Sequence, residues 1–220
     1  MRRTALITGF EPYGTHRINP TARLVEMFEG TMIAGLEIKA RCLPVRLDGL
    51  LPRLQTLFDE VRPALVIALG LYPGESMIRL ERFGVNLADF EIGDNDGVKL
   101  VDASLEPQGN LSRAATLPLR AIASALLAAG IPAHLSTTAG TYLCNATLFT
   151  LLGLIERSGR AVPCGFIHLP YLPEQVALTL EEAAEGRIEL HQRADLASMD
   201  FALMRQALKL AIEVSALGLN

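Results

Sequence analysis

A continuous apolar run from Ala64 to Leu69 is the feature that most constrains how this chain can fold. A strand that is apolar at every position, rather than at alternate positions, suits a parallel sheet covered by helices on both faces. The residues before this run, 50–61, have the apolar spacing of a helix, which stops at Arg62-Pro63 because a proline disfavours a helical residue before it. A helix that leads into a doubly covered strand is typical of α/β proteins.

The rest of the chain continues to alternate between strand-like and helix-like segments, without repeats, linkers or low-complexity stretches. The apolar patterns predict further strands at residues 4–10, 36–45, 81–87, 133–138 and 163–169. They predict further helices at residues 20–28, 118–129, 146–157 and 198–217. The Asp94-Asn95-Asp96-Gly97 sequence predicts the tip of a β-hairpin, and residues 181–195 predict a polar surface segment. We therefore expect one α/β domain over residues 1–220, with a mostly parallel twisted sheet, helices on both faces and a β-hairpin extension.

Composition and charge argue against several classes of partner. The formal net charge is −4, and no basic cluster is interleaved with aromatic residues, which argues against nucleic acid. The longest apolar run, residues 121–131, is well short of the roughly 20 residues that cross a bilayer, and the N-terminus lacks the pattern of a signal peptide. We expect no membrane association and a cytoplasmic location. Cys42, Cys144 and Cys164 form no C-x-x-C pair and are expected to be reduced thiols, with Cys42 in the core.

Cys144 lies where a strand-like segment changes to a helix-like one, in the sequence HLSTTAGTYLCNATLF. The unpaired amides and the dipole at a helix N-terminus stabilise a thiolate, so they lower a thiol pKa that is ordinarily about 8.5. A thiol with a lowered pKa is a nucleophile at neutral pH. The alternative is a small apolar residue that fills a strand–helix corner, which is the common role of an intracellular cysteine.

His168 and Glu81 are the residues expected to meet Cys144 at one edge of the sheet. Ligands bind outside the carboxyl ends of parallel strands, where loops converge and helix N-termini point their amides outward. Cys144 follows one predicted strand and His168 ends the next, so a right-handed crossover sets them at the same edge, on neighbouring strands. Glu81 lies beyond the loop that leaves the apolar run. A cysteine beside a histidine gives a thiolate–imidazolium pair, and a carboxylate behind the ring orients it.

Three other histidines compete for the role of the base. His16 follows the first strand at the same edge and remains an alternative to His168. His134 begins its strand, so it is expected at the opposite edge from Cys144. His191 lies in the polar segment and is expected to be solvated.

The acid is also open to alternatives, since Glu81 could be an exposed residue and Asp89 or Asp94 could take its place. The acidic turn at 94–97 does not predict a metal site, because Ile92 stands where the first acidic ligand of an EF-hand loop would be. Motifs for serine hydrolases, nucleotide or dinucleotide binding and zinc peptidases are absent from the sequence.

Four segments are distinctive in sequence: GFEPYG with Asn19-Pro20, ERFGVN with Glu81, STTAGTYLCN with Cys144 and GFIHLPYLPEQ with His168. In their order and spacing over residues 5–175 they resemble the pyroglutamyl peptidase I family, the pyrrolidone-carboxylate peptidases. The resemblance implies a cytosolic cysteine exopeptidase that removes an N-terminal pyroglutamyl residue from peptides. It further implies an α/β fold, no cofactor and a homotetrameric assembly in many members. By this resemblance Cys144 is the nucleophile, His168 the general base and then acid, and Glu81 the residue that orients His168.

The resemblance also assigns residues to the substrate. Phe10 and Tyr13 match aromatic positions that flank the lactam ring, although position 13 is more often phenylalanine in the family. Asn19 matches a position near the polar edge of the ring and is equally well explained as a helix N-cap. Tyr142 and Leu143 match apolar positions beside the cysteine. A neutral five-membered lactam suits such a small apolar slot with a few directed hydrogen bonds.

Leu71 and Glu91 depart from the family's pattern. Leu71 stands where many members have glutamine, and Glu91 stands where they have arginine. A carboxylate that faces the site disfavours a thiolate. The expected function is pyroglutamyl peptidase, and two alternatives stay open. The first is a member that binds pyroglutamyl peptides with weak or no turnover, and the second is an α/β hydrolase or phosphorylase-like enzyme for nucleosides, which has no motif in its favour.

Overall fold

A seven-stranded sheet forms the centre of the computed structural model, which describes residues 3–14, 16–184 and 196–219. The strands β1 to β9 are Thr4–Phe10, Met32–Ile33, Leu36–Leu43, Leu65–Leu71, Ile78–Glu81, Phe83–Val85, Ser112–Ala114, Ala133–Ser136 and Cys164–Leu169. The helices α1 to α6 are Pro20–Phe28, Leu50–Val61, Leu119–Ala128, Leu143–Ser158, Pro173–Ala184 and Phe201–Ala216. The order in the main sheet is β2-β3-β1-β4-β9-β5-β8, and β6 pairs with β7 in a small second sheet. The α/β class and the mostly parallel sheet are confirmed.

The strand directions correct one prediction about the site. Strands β3, β1, β4 and β9 run parallel, whereas β5 pairs antiparallel with β9 and parallel with β8. Strand β8, which leads to Cys144, therefore runs opposite to β9, and β5 lies between them. The prediction that Cys144 and His168 follow neighbouring parallel strands was wrong. Residues 137–142 carry the chain to the start of α4, and Cys144 reaches the cavity that His168 lines.

Apolar layers cover both faces of the sheet, as the continuous apolar run predicted. Helices α1, α3 and α6 carry the layer on one face, and helices α2 and α4 carry the layer on the other. All seven residues of β4 are buried between these layers. Because burial on both faces removes the freedom of the central strands, the loops at their ends are held on a rigid base.

The chain between β6 and β7 forms the predicted extension. Its two arms run antiparallel through β6–β7 and an isolated bridge between Ala88 and Ala103. The Asp94 carboxylate holds the tip, where Oδ1 accepts the backbone N–H groups of Asp96 at 3.0 Å and Val98 at 2.9 Å. The Asn145 side chain ties the extension to α4, since it accepts the N–H of Val85 at 2.7 Å and donates to the Val85 carbonyl at 2.9 Å.

Three local predictions differ from the structure. Helix α4 begins at Leu143 rather than at residue 146, which puts Cys144 inside its first turn. Residues 181–184 belong to α5, which extends from Pro173, while the rest of the predicted polar segment, 185–195, lies outside the described residues. Cys42 is exposed rather than part of the core, because the alternation that buries Leu36, Ile38 and Ala40 breaks at the end of β3, where Leu43 is buried instead. None of the helices in the described ranges is long and apolar enough to cross a membrane.

Candidate active site

A cavity of about 290 Å³ lies beside the start of α4 and brings most of the predicted site residues together. Cys144 and His168 both line it. All five predicted substrate-binding residues line it as well: Phe10, Tyr13, Asn19, Tyr142 and Leu143. Glu81 lies behind the imidazole of His168. The cavity therefore places a thiol, an imidazole and an aromatic slot within one enclosure.

Cys144 is the second residue of α4. The first intrahelical bond runs from the Ala146 N–H to the Tyr142 carbonyl at 3.1 Å. The N–H groups of residues 143–145 precede that bond and have no helical acceptor. Three amides therefore lie at the positive end of the helix dipole in the turn that carries Cys144, and they can bind a negatively charged oxygen.

Gly70 fixes how closely the sulfur approaches the sheet. A Cβ atom built at this position would lie 2.8 Å from the Cys144 Sγ and 2.8 Å from the Phe166 ring. Gly70 is also the cross-strand partner of His168 in the β4–β9 ladder. Neighbouring strands lie about 4.8 Å apart, so the sulfur lies beside the strand pair that carries the imidazole.

Replacing Gly70 by alanine is expected to displace the sulfur. We expect kcat for the hydrolysis proposed below to fall more than about tenfold, since small shifts of a reacting atom have large effects on rate. The stability should fall by about 1–3 kcal/mol, as for other overpacked cores. Both are measured by steady-state kinetics and urea unfolding.

The matched control for this variant is Gly165→Ala in the neighbouring strand β9. A Cβ there would lie 2.6 Å from the Leu117 side chain, away from the cavity lining. This variant should lose similar stability and keep its activity. Equal losses of activity in the two variants would contradict the role assigned to Gly70.

A buried hydrogen bond to a carboxylate fixes the orientation of the imidazole. The Nδ1 atom of His168 lies 2.8 Å from the Glu81 Oε1, and the two side chains are 2 % and 0 % exposed. The antiparallel β5–β9 ladder brings them together by pairing Glu81 with Phe166 and Arg79 with His168. With Nδ1 held by the carboxylate, the other ring nitrogen, Nε2, is the one free to exchange a proton in the cavity. The flanking rings of Phe166 and Tyr72, at 4.7 and 5.1 Å between centroids, restrict rotation of the imidazole.

The electrostatics of the site correct the prediction of a lowered thiol pKa. Burial and, to a smaller extent, the charge of the Glu81 carboxylate raise the pKa of Cys144 to about 12, against the opposing effect of the residue's own amide. Burial also lowers the pKa of His168, although Glu81 opposes this. The unliganded site therefore holds a neutral thiol and a neutral imidazole at neutral pH rather than a thiolate–imidazolium pair. The helix dipole was visible in the sequence, but the desolvation that outweighs it was not.

The Glu81 carboxylate is ionised despite its burial. Burial raises its pKa, but the hydrogen bond with His168 and the positive charge of Arg79 oppose this, and the pKa is lowered below its ordinary value overall. The described hydrogen bonds include none between the Cys144 sulfur and the imidazole of His168, and catalytic contacts of this kind are often long in unliganded enzymes.

The competing histidines lie in other environments. His16 stacks edge-on against Tyr13 and Tyr171, with both pairs of ring centroids 5.3 Å apart, and does not line the cavity. His134 and His168 are both cross-strand partners of Arg79, so they lie in one row across the sheet. The prediction that His134 lies at the opposite edge was wrong, because β8 runs antiparallel to β9. Its Nε2 lies 3.3 Å from the Glu75 Oε2. His191 lies outside the described residues.

The two alternative acids do not pair with the imidazole. Asp94 holds the tip of the extension and accepts the Leu47 N–H at 2.9 Å. Asp89 lies on the cavity wall, where its backbone pairs with Thr141. The Glu81 carboxylate is the one in contact with His168.

The proposed substrate slot combines buried apolar groups with directed polar ones. Phe10 and Leu143 are buried, and burial raises the pKa of Tyr13 strongly. Burial also raises the pKa of Tyr142 to about 12, and its hydroxyl donates to the Gly93 carbonyl at 3.1 Å. Both tyrosines are thus neutral hydrogen-bonding groups at neutral pH. The slot suits an uncharged ligand.

Asn19 acts as the N-cap of α1 and also lines the cavity. Its Oδ1 accepts the Thr21 N–H at 3.0 Å, and its Nδ2 donates to the Glu11 carbonyl at 3.0 Å. These bonds fix the amide in one orientation. The N-cap interpretation is confirmed, and contact with a ligand stays a prediction.

Leu71 and Glu91, the two departures from the family's pattern, both line the cavity. Leu71 is buried in the wall, whereas Glu91 is exposed at its rim. No lysine or arginine is among the residues described as lining the cavity. Within the described residues no group of histidine, cysteine and acidic side chains could hold a metal ion.

Several residues around the site were not predicted from the sequence. Tyr72 and the loop residues Ala139, Gly140 and Thr141 also line the cavity. Arg79 contacts Glu81 behind it. A signal for Arg79 was present, since it lies two positions before Glu81 in a strand and therefore on the same face.

A thiol at a helix N-terminus beside an oriented imidazole, on an α/β scaffold, is the kind of site that cysteine hydrolases use. The sequence model of the pyroglutamyl peptidase family matches residues 3–216. The chain belongs to the pyroglutamyl peptidase family.

Individual relatives agree with this assignment. The pyrrolidone-carboxylate peptidase of Pyrococcus furiosus is 36 % identical over 210 residues, which cover 96 % of each chain. The pyrrolidone-carboxylate peptidase of Yersinia pestis is 42 % identical over 173 residues, covering 79 % of this chain and 80 % of the relative.

Solved structures agree as well. A mutant pyrrolidone carboxyl peptidase from P. furiosus superimposes with a TM-score of 0.90 at 35 % identity, covering 99 % of this chain and 100 % of the other. The pyrrolidone carboxyl peptidase from Thermococcus litoralis gives a TM-score of 0.89 at 38 % identity, covering 97 % of this chain and 93 % of the other.

Proposed function

We propose that this protein is a cysteine exopeptidase that removes the N-terminal pyroglutamyl residue from peptides. The observation that carries the proposal is the place of Cys144. Its sulfur lies against Gly70, the cross-strand partner of His168, and the other side of that imidazole is held by the buried Glu81. Family membership supports the reaction, and the neutral slot beside the sulfur supports an uncharged lactam as the group that binds there.

The reaction begins with the neutral thiol and imidazole. His168 takes the Cys144 proton on Nε2, and the sulfur attacks the pyroglutamyl carbonyl carbon. The oxyanion binds the free amides of residues 143–145 at the start of α4. The imidazolium, stabilised by Glu81, then gives its proton to the departing amine, and a pyroglutamyl thioester remains on the sulfur.

Water completes the cycle. Neutral His168 removes a proton from a water molecule, which attacks the thioester carbonyl. The carbon–sulfur bond breaks, pyroglutamate leaves, and the proton returns to the Cys144 sulfur. No cofactor takes part in these steps.

A pair of fluorogenic amides tests the proposal. The protein should hydrolyse a pyroglutamyl amide, whereas the corresponding prolyl amide, which has a charged ring nitrogen and lacks the lactam oxygen, should react at least about 100-fold more slowly. A charged ring nitrogen loses its hydration when it enters the apolar part of the slot, formed by Phe10 and Leu143. Equal rates for the two amides, or nucleoside substrates alone reacting, would overturn the proposal.

Leu71 and Glu91 keep an alternative open, namely a member that binds pyroglutamyl peptides with weak or no turnover. A carboxylate on the cavity wall disfavours the thiolate that forms during attack. Calorimetric binding of a pyroglutamyl peptide, with no release of pyroglutamate, would favour this alternative over the peptidase.

We also propose that the protein is a cytoplasmic homo-oligomer, with the tetramer implied by the family resemblance as the expected size. Two apolar side chains on the extension support association, since Val101 is 72 % exposed and Leu111 is 90 % exposed. Light scattering after gel filtration would measure the mass. A monomer at micromolar concentration would contradict the assembly without affecting the proposed reaction.

A further inference from the structure

Arg79 lies next to Glu81 and His168, and it has no part in the proton transfers proposed above. It lies on β5, two residues before Glu81, and pairs with His168 across the β5–β9 ladder. Its side chain is 13 % exposed. A guanidinium that is mostly removed from water needs a partner for its charge and for its N–H donors.

The donors of Arg79 connect two parts of the site. Its Nε donates to the Glu81 Oε1 at 3.1 Å. The same oxygen is hydrogen-bonded to the Nδ1 of His168. Its Nη2 donates to the Thr138 carbonyl at 3.0 Å and to the Ser136 Oγ at 2.8 Å. Thr138 belongs to the loop that leads to Cys144. One side chain therefore fixes the carboxylate behind the base and the segment before the sulfur.

The position of the guanidinium is itself fixed from two sides. Its Cζ lies 4.0 Å from the centroid of the Tyr72 ring, and the same ring packs edge-on against His168. Its Nη1 lies 3.3 Å from the Glu75 Oε2. The Tyr72 ring thus contacts both the guanidinium of Arg79 and the imidazole of His168. It keeps these two groups at a constant separation.

Glu81 needs this cation because its own burial is complete. Its side chain is fully buried, and its Oε2 has no hydrogen-bond partner among the described residues. An ionised carboxylate in such a place is costly unless a charge of opposite sign is close. Since the neutral form of His168 brings no positive charge, Arg79 is the permanent cation in contact with Glu81 in the described part of the chain.

We propose that Arg79 is a positioning residue that keeps Glu81 ionised, aims its Oε1 at His168 Nδ1 and so leaves Nε2 free to take the Cys144 proton. The inference rests on the proposed function for its catalytic readout. The titratable and charged groups around Arg79 are Glu75 and Tyr72 from the loop before β5, Glu81 on β5, His134 on β8 and His168 on β9.

The first test compares Arg79→Met with Arg79→Lys. Methionine removes the charge and keeps most of the length, so kcat should fall about 100-fold, the lower end of what general acid–base catalysis contributes, with little change in KM. Lysine keeps the positive charge but lacks the planar set of guanidinium donors, so Arg79→Lys should recover part of the lost kcat. A rise in KM with unchanged kcat would overturn the proposal, because it would place Arg79 in substrate binding.

The pH profile supplies a readout that a purely structural residue would not change. Arg79 lowers the pKa of both Glu81 and His168. Without it, the pair binds a proton at higher pH, and the acid limb of kcat/KM should move to higher pH. An unmoved acid limb in both Arg79 variants would overturn the proposal.

Arg113→Met is the matched control. Arg113 is also buried, pairs with Glu156 at 2.8 Å and lies 4.0 Å from the centroid of the Phe149 ring, but it does not line the cavity. Its replacement should lower stability in urea without moving the acid limb. If both variants move the limb equally, the effect comes from general loosening of the fold and Arg79 has no special role.

A measurement without turnover separates this inference from the proposed function. Nitrogen-15 NMR of labelled histidine, assigned with His168→Gln, should show His168 with its proton on Nδ1 in the wild type and titration at higher pH in Arg79→Met. If Arg79→Met does not fold, the same comparison is made with Arg79→Lys, which should show a smaller displacement in the same direction. An unchanged His168 titration overturns the role of Arg79, whereas a wild type that releases no pyroglutamate overturns only the peptidase.

Discussion

Replacing Cys144 by serine is expected to lower kcat/KM for a pyroglutamyl amide on the order of 10⁴-fold, in line with losses seen when a nucleophile is removed from a peptidase. Serine keeps the size of the side chain but has a much higher pKa, and the imidazole cannot fully remove its proton. The slot residues are untouched by the change. Calorimetric affinity for a pyroglutamyl peptide should therefore stay close to that of the wild type.

Cys42→Ser is the control for this experiment, because Cys42 is exposed and does not line the cavity. It should keep the wild-type rate. Equal rates for wild type and Cys144→Ser would exclude the cysteine mechanism. A loss in Cys42→Ser as large as that in Cys144→Ser would show that the effect comes from the fold rather than from the reacting sulfur.

The raised pKa of Cys144 gives this mechanism a second consequence. Because burial raises that pKa to about 12, alkylation by iodoacetamide without substrate should be slow at neutral pH and increase steadily toward alkaline pH. A resting thiolate would instead react at a constant rate from mildly acidic pH upward. In the reaction proposed here the thiol is activated by transfer of its proton to His168 once the substrate is bound.

Local sequence patterns were sufficient to predict the parts of the site that depend on one element. The apolar run at 64–69 became β4, which is buried on both faces as expected. Cys144 lies in the first turn of a helix, and His168 lies near the end of a strand, because these positions follow from periodicity and from helix boundaries. The pairing of His168 with Glu81 was expected from the family resemblance and agrees with the contact at 2.8 Å.

Features that depend on strand order and burial could not be predicted in this way. The short β5 enters the sheet between β8 and β9 in the opposite direction to β9, and a pattern four residues long does not specify its neighbours. His134 was misplaced for that reason. The thiol pKa was wrong in direction because it depends on desolvation by side chains from distant segments, such as Tyr13 and Tyr142, whereas the helix dipole is a local property.

Glu81→Gln is expected to separate catalysis from thiol reactivity. The change keeps the shape of the side chain and removes the charge that stabilises the imidazolium. We therefore expect kcat to fall on the order of 10³-fold, somewhat less than the loss for the equivalent change in a serine peptidase. Glu81 raises the pKa of His168, so without it the acid limb of kcat/KM should move to lower pH, opposite to the shift expected for Arg79→Met.

The reactivity of the Cys144 thiol in Glu81→Gln should increase, in contrast to the hydrolytic rate. The Glu81 carboxylate raises the pKa of Cys144, so its removal should lower that pKa and speed alkylation by iodoacetamide at a given pH, even while hydrolysis is lost. Asp89→Asn is the control, since it removes a carboxylate from the cavity wall without touching the imidazole. If Glu81→Gln kept its hydrolytic rate, or if its thiol became less reactive together with the loss of hydrolysis, the carboxylate would not act through His168. If Glu81 acts through His168, Glu81→Gln should lower the rate of hydrolysis and raise the rate of thiol alkylation. The same negative charge favours the imidazolium and disfavours the thiolate.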